Sequence, residues 1–346
     1  MINKFFFIFL WLSVFFKPPL HCESNRVILV TGGAGYIGSH TCKALKEAGY
    51  LPVIYDSLAS GDKDSVKWGP LVVADLLDIV TLDQTFTAYQ PCAVIHFAAL
   101  CKVGESMKDP SSYYTTNVCG SINLLNAMHK HGVRDIIFSS SCTVYGDHTD
   151  LISEESLKAP INPYAKSKYF TEQMIKDYAY AYSIHYMILR YFNAAGVEID
   201  AGLRKSSHSF SFLIPRIMRS ILQLEQPLEI FGYDYPTTDG TCIRDYIHVK
   251  DLARAHVLAV NHLQAEKINA ELNLGTGKGY SVLEIIHEIE RLTGKKVPYS
   301  LKPRREGDVS QAVAKIEKAK AILGFETKYS DLQTIIQSEW ESIQSR

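Results

Sequence analysis

The sequence predicts an α/β fold, a doubly wound parallel sheet with a smaller α/β domain after it. Three observations carry this. Short apolar, β-branched runs alternate with helical stretches from residue 26 to about 190. A glycine-rich turn, Thr31-Gly32-Gly33-Ala34-Gly35-Tyr36-Ile37-Gly38, joins the first run to the first helix. An acid, Asp56, closes the second run.

The elements follow in order. Residues 26–31 read as a buried parallel strand. A helix covers about 37–48, with Gly49 as its stop. Residues 51–55 form a second strand ending at Asp56, and 71–74 and 93–97 form two more. A long helix spans about 111–131 and Gly132 closes it. Residues 135–138 are the next strand. Pro163, at a first helical position, opens a helix to about 182, and 186–189 complete the set. Right-handed crossovers then demand one parallel sheet with helices on both faces, a Rossmann-like arrangement. After residue 191 the strands shorten and the loops gain Pro, Gly and aromatics. Ser281 and Glu284 make a capping box before a helix to about 293. A helix over 249–263 is expected to pack back on the sheet, so the division into residues 26–190 and 191–346 is interleaved.

Composition excludes several classes. The 346 residues carry 36 Lys+Arg against 37 Asp+Glu, a net charge of −1 that argues against nucleic acid as a partner. Seven cysteines, widely spaced and without a C-x-x-C, read as free thiols in a reducing compartment, with no zinc or other metal site. Residues 1–25 pull the other way. Lys4 precedes an apolar run over 5–16, too short for the roughly 20 residues that span a bilayer. It reads as a dispensable extension, a membrane-surface anchor or an export signal. The cofactor chemistry below tips the balance toward a cytoplasmic protein.

The glycines at 32, 35 and 38 let the backbone turn tightly and approach a pyrophosphate, which the following helix N-terminus attracts. Asp56 stands where an acid binds a ribose 2′-hydroxyl and repels a 2′-phosphate, so NAD is favoured over NADP. Tyr164 and Lys168 lie one turn apart on one helix face. Ser141 ends the run Phe138-Ser139-Ser140-Ser141 at the carboxyl edge of the sheet. Together they make a proton-transfer set. One positive charge at about 5 Å is worth about two pKa units, so Lys168 together with the charged nicotinamide ring predicts a Tyr164 brought toward neutrality, where a general base works best.

These motifs resemble the extended short-chain dehydrogenase/reductase family, and within it the UDP-hexose 4-epimerases. The likeness runs through residues 31–38, His96-Phe97-Ala98-Ala99, Val103-Gly104-Glu105-Ser106, Asn117 to Gly120, residues 138–146, 163–168 and Arg190-Tyr191-Phe192-Asn193. It continues through residues 233–241, 243–249 and Arg304-Arg305-Glu306-Gly307-Asp308. The resemblance implies a base, Tyr164, a Lys168 that orients the nicotinamide ribose, and a Ser141 that shuttles the proton. It implies that Gly32, Gly35, Tyr36, Ile37, Gly38, Asp56, Asp75, Phe97, Asn117 and Phe192 line NAD with Tyr164 and Lys168. Asn193, Leu213, Phe231, Arg244, Arg305, Asp308 and Ala312 would hold a UDP-sugar with Ser141 and Tyr164. The implied reaction inverts carbon 4: hydride leaves for NAD, the 4-keto sugar turns over, and hydride returns to the other face. A homodimer paired through two long helices is also implied.

Three departures stand out. Cys101, followed by Lys102, occupies a position where the family often carries lysine. Phe212 replaces the usual Asn or His. Ala312, four residues beyond Asp308, is small where bulky tyrosine restricts some relatives to simple hexoses, so acceptance of N-acetylated sugars is expected. Rival readings are a UDP-glucuronate 4-epimerase and an inactive NAD-binding protein. A dehydratase needs an acid beside Thr143, which is flanked here by Cys142 and Val144.

Overall fold

A computed structural model describes residues 26–344 apart from 149, 202, 204–211 and 306. The apolar run at 5–16, on which the readings of the N-terminus rest, lies outside the described residues. Among the described residues no helix is long and apolar enough to cross a membrane.

Six strands appear before residue 192: β1 (Val27–Thr31), β2 (Leu51–Asp56), β3 (Leu71–Val73), β4 (Ala93–His96), β5 (Asp135–Ser141) and β6 (His185–Tyr191). Seven short ones follow: β7 (Asn193–Ala195), β8 (Leu228–Phe231), β9 (Ile243–His248), β10 (Ala270–Leu274), β11 (Gly279–Ser281), β12 (Tyr299–Lys302) and β13 (Gln311–Ala312). The main sheet has seven parallel strands in the order β10-β6-β5-β4-β1-β2-β3. The order reverses between β1 and β4, which opens a crevice at the carboxyl edge there.

Alternation along each strand builds two cores. Ile28 and Val30 point to one face, where the helices Tyr36–Glu47 and Val249–Glu266 cover them. Leu29 points to the other, against Phe86, Leu124 and Ile175 from three further helices. A third core, around Ile217, Ile230, Ile286 and Ile336, holds the later residues together. β9 is the spine of a small mixed sheet that also contains β7, β11 and β13.

Several expected elements change in detail. The strand expected over 135–138 continues to Ser141, because β5 pairs with β6 along its whole length and all seven residues are buried. The helix expected over 111–131 begins at Pro110 and contains a π-helical turn, Tyr114–Cys119, before Gly120–Lys130. A helix over Ile79–Tyr89, capped by Asp78 on the Thr81 N–H, has no counterpart in the sequence reading. Its first residues, Ile79 and Val80, are apolar yet exposed, and this blurs the helical period. β10 joins the first sheet although it lies beyond residue 190, whereas the helix Val249–Glu266 packs on that sheet as expected.

The helix Pro163–Tyr182 starts where expected. Pro163 needs no N–H partner in the first turn, and the buried Asn162 side chain accepts from the Ala165 N–H at 2.9 Å. Asn162→Ala is expected to cost about 1 kcal/mol of stability, read by urea denaturation.

Candidate active site

The carboxyl ends of β1, β2, β4, β5 and β6 bring the predicted residues to one edge. After β1 the chain turns at Gly32, whose φ is +72°. A Cβ there would lie 2.6 Å from the Ala98 nitrogen, and one on Gly38 would lie 2.3 Å from the Gly32 oxygen. Only glycine lets these two strands and the helix meet. The helix Tyr36–Glu47 has no side-chain cap at Gly35, so its first N–H groups face the turn. Asp56 accepts from the Ala34 and Leu58 N–H groups, each at 2.9 Å, one on each oxygen. Each oxygen retains a lone pair for a sugar hydroxyl. An uncapped helix end, a glycine cradle and a buried carboxylate fit the diphosphate and ribose of a dinucleotide.

The rest of the predicted cofactor wall divides. Phe97 follows β4, half-buried, with its ring 4.7 Å from that of His256. Phe192 is buried just after β6. Asn117 lies in the π-helical turn and turns inward. It accepts from the Leu100 N–H at 2.8 Å and donates to the Leu100 carbonyl and to Ser167. It therefore fixes the loop after β4. Ile37 sits in the first helical turn, and the Tyr36 hydroxyl donates to the Gly196 carbonyl at 2.5 Å. Asp75 is exposed and caps its own turn through the Leu77 N–H.

Tyr164 and Lys168 face the end of β5. The Lys168 ammonium donates to the Ser139 carbonyl at 2.8 Å and lies 4.9 Å from the Phe138 ring. Ser141 Oγ accepts from both the N–H and the hydroxyl of Thr143, and Tyr164 lies beside it. Ser141 therefore keeps its own proton as a donor. The expected acidic Tyr164 is not what this fold produces alone. Burial pushes its phenol well above the ordinary tyrosine range, and the neighbouring Ser141 only partly offsets this. Burial also pushes Lys168 down to about 8. Lys168 is held by a backbone carbonyl, so its charge is aimed at β5 as much as at the phenol.

Toward the second half, β9 pairs with both β7 and β13, with Arg244 opposite Ala312 and Tyr246 opposite Asn193. Arg244 donates to the Ile243 and Val309 carbonyls. Arg305 is exposed, bonded to Asp308 at 2.9 Å and lying over the Phe231 ring at 4.8 Å. Ala312 is buried in a cluster with Val144 and Phe192. Leu213 starts the helix Leu213–Ile221.

The departures resolve unequally. Lys102 pairs with Glu105 at 2.6 Å and does not replace the lysine missing at 101. Cys101 sits within electrostatic reach of both Tyr164 and Lys168. The Phe212 ring lies 5.9 Å from that of Tyr36. Sequence reasoning missed Tyr113, whose ring stands edge-on to Tyr164 at 6.4 Å and whose hydroxyl donates to the Lys102 carbonyl. It also missed Glu172, although Tyr164, Lys168 and Glu172 recur at every fourth position.

A fold and site of this kind define a nucleotide-dependent oxidoreductase-like enzyme. Residues 28–275 match the NAD dependent epimerase/dehydratase family, and the chain belongs to it. It is 44% identical over 317 residues to UDP-glucose 4-epimerase of Rhizobium meliloti (strain 1021), covering 91% of this chain and 96% of that protein. It is similar to the crystal structure of UDP-glucose 4-epimerase from Brucella ovis in complex with NAD, at 49% identity and a TM-score of 0.88, over 91% of this chain and 98% of that one. It is also similar to the UDP-Glc/GlcNAc 4-epimerase from Campylobacter jejuni, at 35% identity and a TM-score of 0.80, over 93% and 100% of the two chains.

Lys168 yields a stability prediction. Its folded value, about 8, lies below its ordinary 10.5, so the folded state binds fewer protons between them. The penalty of burying the charge is fully present below pH 8 and is relieved as pH rises through that window. Lys168→Met is therefore expected to abolish turnover yet raise the unfolding free energy at pH 7 by roughly 1–3 kcal/mol, measured by urea denaturation.

Proposed function

We propose that this chain is an NAD-dependent UDP-hexose 4-epimerase, an isomerase that interconverts UDP-galactose and UDP-glucose through a transient 4-keto sugar. The observation that carries the reading is the convergence of Ser141, bonded to Thr143, with the Tyr164–Lys168 pair at the edge of the dinucleotide cradle. It supplies a proton path to a sugar hydroxyl. Neither neighbour of Thr143 is an acid, so elimination of water has no assisting group.

Gly32, Gly35, Gly38 and the first turn at Tyr36 and Ile37 hold the diphosphate of NAD, and Asp56 holds a ribose. Phe97 and Phe192 wall the cofactor, and Asn117 acts by fixing the Leu100 backbone. Residues 26–190, with the helix Val249–Glu266 and β10, form the NAD-binding part. When bound, NAD supplies a hydride acceptor at carbon 4 and a positive ring charge that adds to that of Lys168. Tyr164 takes the proton of the 4-hydroxyl and gives it back after the sugar turns. Ser141 stands beside the phenol and helps pass the proton between phenol and sugar, with the Thr143 hydroxyl turning away to free an Oγ lone pair. Lys168, charged below about pH 8, stabilises the phenolate. Asn193, Leu213, Phe231, Arg244, Arg305 and Asp308 grip the UDP part, since a planar guanidinium meets a diphosphate at two points. This fixed grip leaves the sugar free to rotate.

Ala312 supports a wider substrate range. Its methyl packs beside Phe192 and Val144, neighbours in sequence of Asn193 and Thr143, so no bulky side chain fills that corner. The Campylobacter relative, described as acting on UDP-Glc and UDP-GlcNAc, supports the same reading. A homodimer is supported by Phe170, half-exposed and stacked at 6.2 Å on Tyr114 along the outer face of the two long helices. A requirement for NAD and nucleotide sugars supports a cytoplasmic site of action.

The test is conversion of UDP-galactose and UDP-GlcNAc, followed separately through their anomeric protons by NMR. Both are expected to convert. Conversion of neither, with NAD added, overturns the proposal. Tyr164→Phe is expected to lower kcat by about 10²–10⁴-fold. Ala312→Tyr is expected to remove the N-acetyl activity and spare UDP-galactose; equal loss of both, measured as kcat/KM, rejects the role of Ala312.

A further inference from the structure

The catalytic helix carries more charge than the reaction uses. Tyr164, Lys168, Glu172 and Lys176 recur every fourth residue and share one face. Glu172 and Arg190 are completely buried. Glu172 accepts from Arg190 Nε at 2.9 Å on one oxygen and from Arg190 Nη2 at 2.7 Å on the other. The Ser140 hydroxyl also donates to it, at 2.5 Å. Arg190 continues outward, to Glu271 at 2.5 Å and to the Tyr145 hydroxyl at 2.9 Å. Tyr145 in turn donates to Asn273 at 2.7 Å, and Lys176 pairs with Glu271. One network thus joins the catalytic helix to β5, β6 and β10.

Buried ion pairs are poor sources of stability, because desolvating both charges costs several kcal/mol or more. Apolar residues of similar volume would hold these elements together as well. The placement suggests another use. Ser140 lies between Ser139, whose carbonyl holds Lys168, and Ser141, which neighbours Tyr164. Any slip of Glu172 on Ser140 displaces both catalytic contacts. Glu172 also stands one turn beyond Lys168, about 6 Å along the axis.

We propose that Glu172 and Arg190 are positioning residues for the reaction: the pair sets the register of the catalytic helix on β5, and the Glu172 carboxylate holds Lys168 in its charged form. The Glu172 charge is shared, because Arg190, from β6, offsets part of it and is itself paired with Glu271. Burial opposes the Lys168 charge and the Glu172 carboxylate favours it, while Cys101, from the loop after β4, is a thiol that burial pushes up, so it is neutral where Lys168 titrates and adds no charge. His96, from β4, is pushed down to about 3 by burial and by Lys168, so it is neutral and adds no charge. β5 offers the Ser139 carbonyl and the Phe138 ring, which are uncharged.

The inference rests on the epimerase reading, and turnover by the unaltered protein in the same assay separates failure of that reading from failure of this one. The experiment uses the full chain with NAD and UDP-galactose across a pH series. Glu172→Gln keeps the shape and removes one negative charge, which lowers the pKa of every nearby group. Both limbs of the kcat profile, that of Tyr164 and that of Lys168, are expected to move down by about one pH unit, with KM within about twofold of the original because the UDP grip is remote. A merely structural role would lower kcat without moving either limb. Limbs that stay in place therefore overturn the electrostatic half. Arg190→Lys keeps the charge but cannot span Glu172 twice. Its limbs are expected to stay, with kcat reduced about tenfold. Unchanged kcat in Arg190→Lys overturns the register half. If Glu172→Gln does not fold, Ser140→Ala takes its place: reduced kcat at constant KM is expected, and unaltered kcat rejects the proposal.

Discussion

The helix Pro163–Tyr182 must cross β5 at a single register, and the chemistry of the molecule depends on that crossing. β5 is buried along all seven residues, and three of them are serines. Serine is small enough to let a helix approach closely, and its backbone and hydroxyl offer polar anchors where an apolar strand would offer none. Lys168 takes the Ser139 carbonyl, Glu172 takes the Ser140 hydroxyl, and Tyr164 lies beside Ser141. Three successive residues of one strand thus index three successive turns of one helix.

The same closeness sets the electrostatics. Water is largely excluded at this crossing, so the neutral forms of Tyr164 and Lys168 are both favoured. The reaction asks for the opposite, an ionised phenol beside a charged amine. Opposed preferences of this kind are common at functional sites, where structure is held away from its own optimum by its surroundings. In the proposed mechanism the correction comes from two directions: cofactor charge on the open side, and buried carboxylate on the closed side.

Much of this was legible in the sequence. The glycine turn, Asp56 and the 163–182 helix each announce themselves by a local rule: a turn that only glycine allows, a strand-end acid, a proline at a helix start. The Tyr164–Lys168 spacing was equally plain. The Ile79–Tyr89 helix was not, because its exposed apolar start imitates no simple period. Nor could spacing reveal that Asn117 clasps Leu100, since the contact depends on a wide turn that forms only against the neighbouring loop. Glu172 was readable as a fourth-residue repeat, but its partner Arg190 lies on a strand that only the pairing of β5 with β6 brings alongside. The burial that raises Tyr164 was not legible for a related reason: a pair interaction can be estimated from spacing, while burial is a property of the whole assembly.

β10 completes the main sheet with residues 270–274, some eighty residues after β6, beside which it lies. During synthesis, therefore, β6 stands as an open edge while the whole of the intervening chain is made. That edge includes Met187, Ile188 and Leu189, all fully buried in the finished protein. An unpaired apolar edge is a template for association with other chains. The last strand is thus also the seal on the nascent protein, and changes that weaken β10 would be felt in yield before they were felt in the folded enzyme.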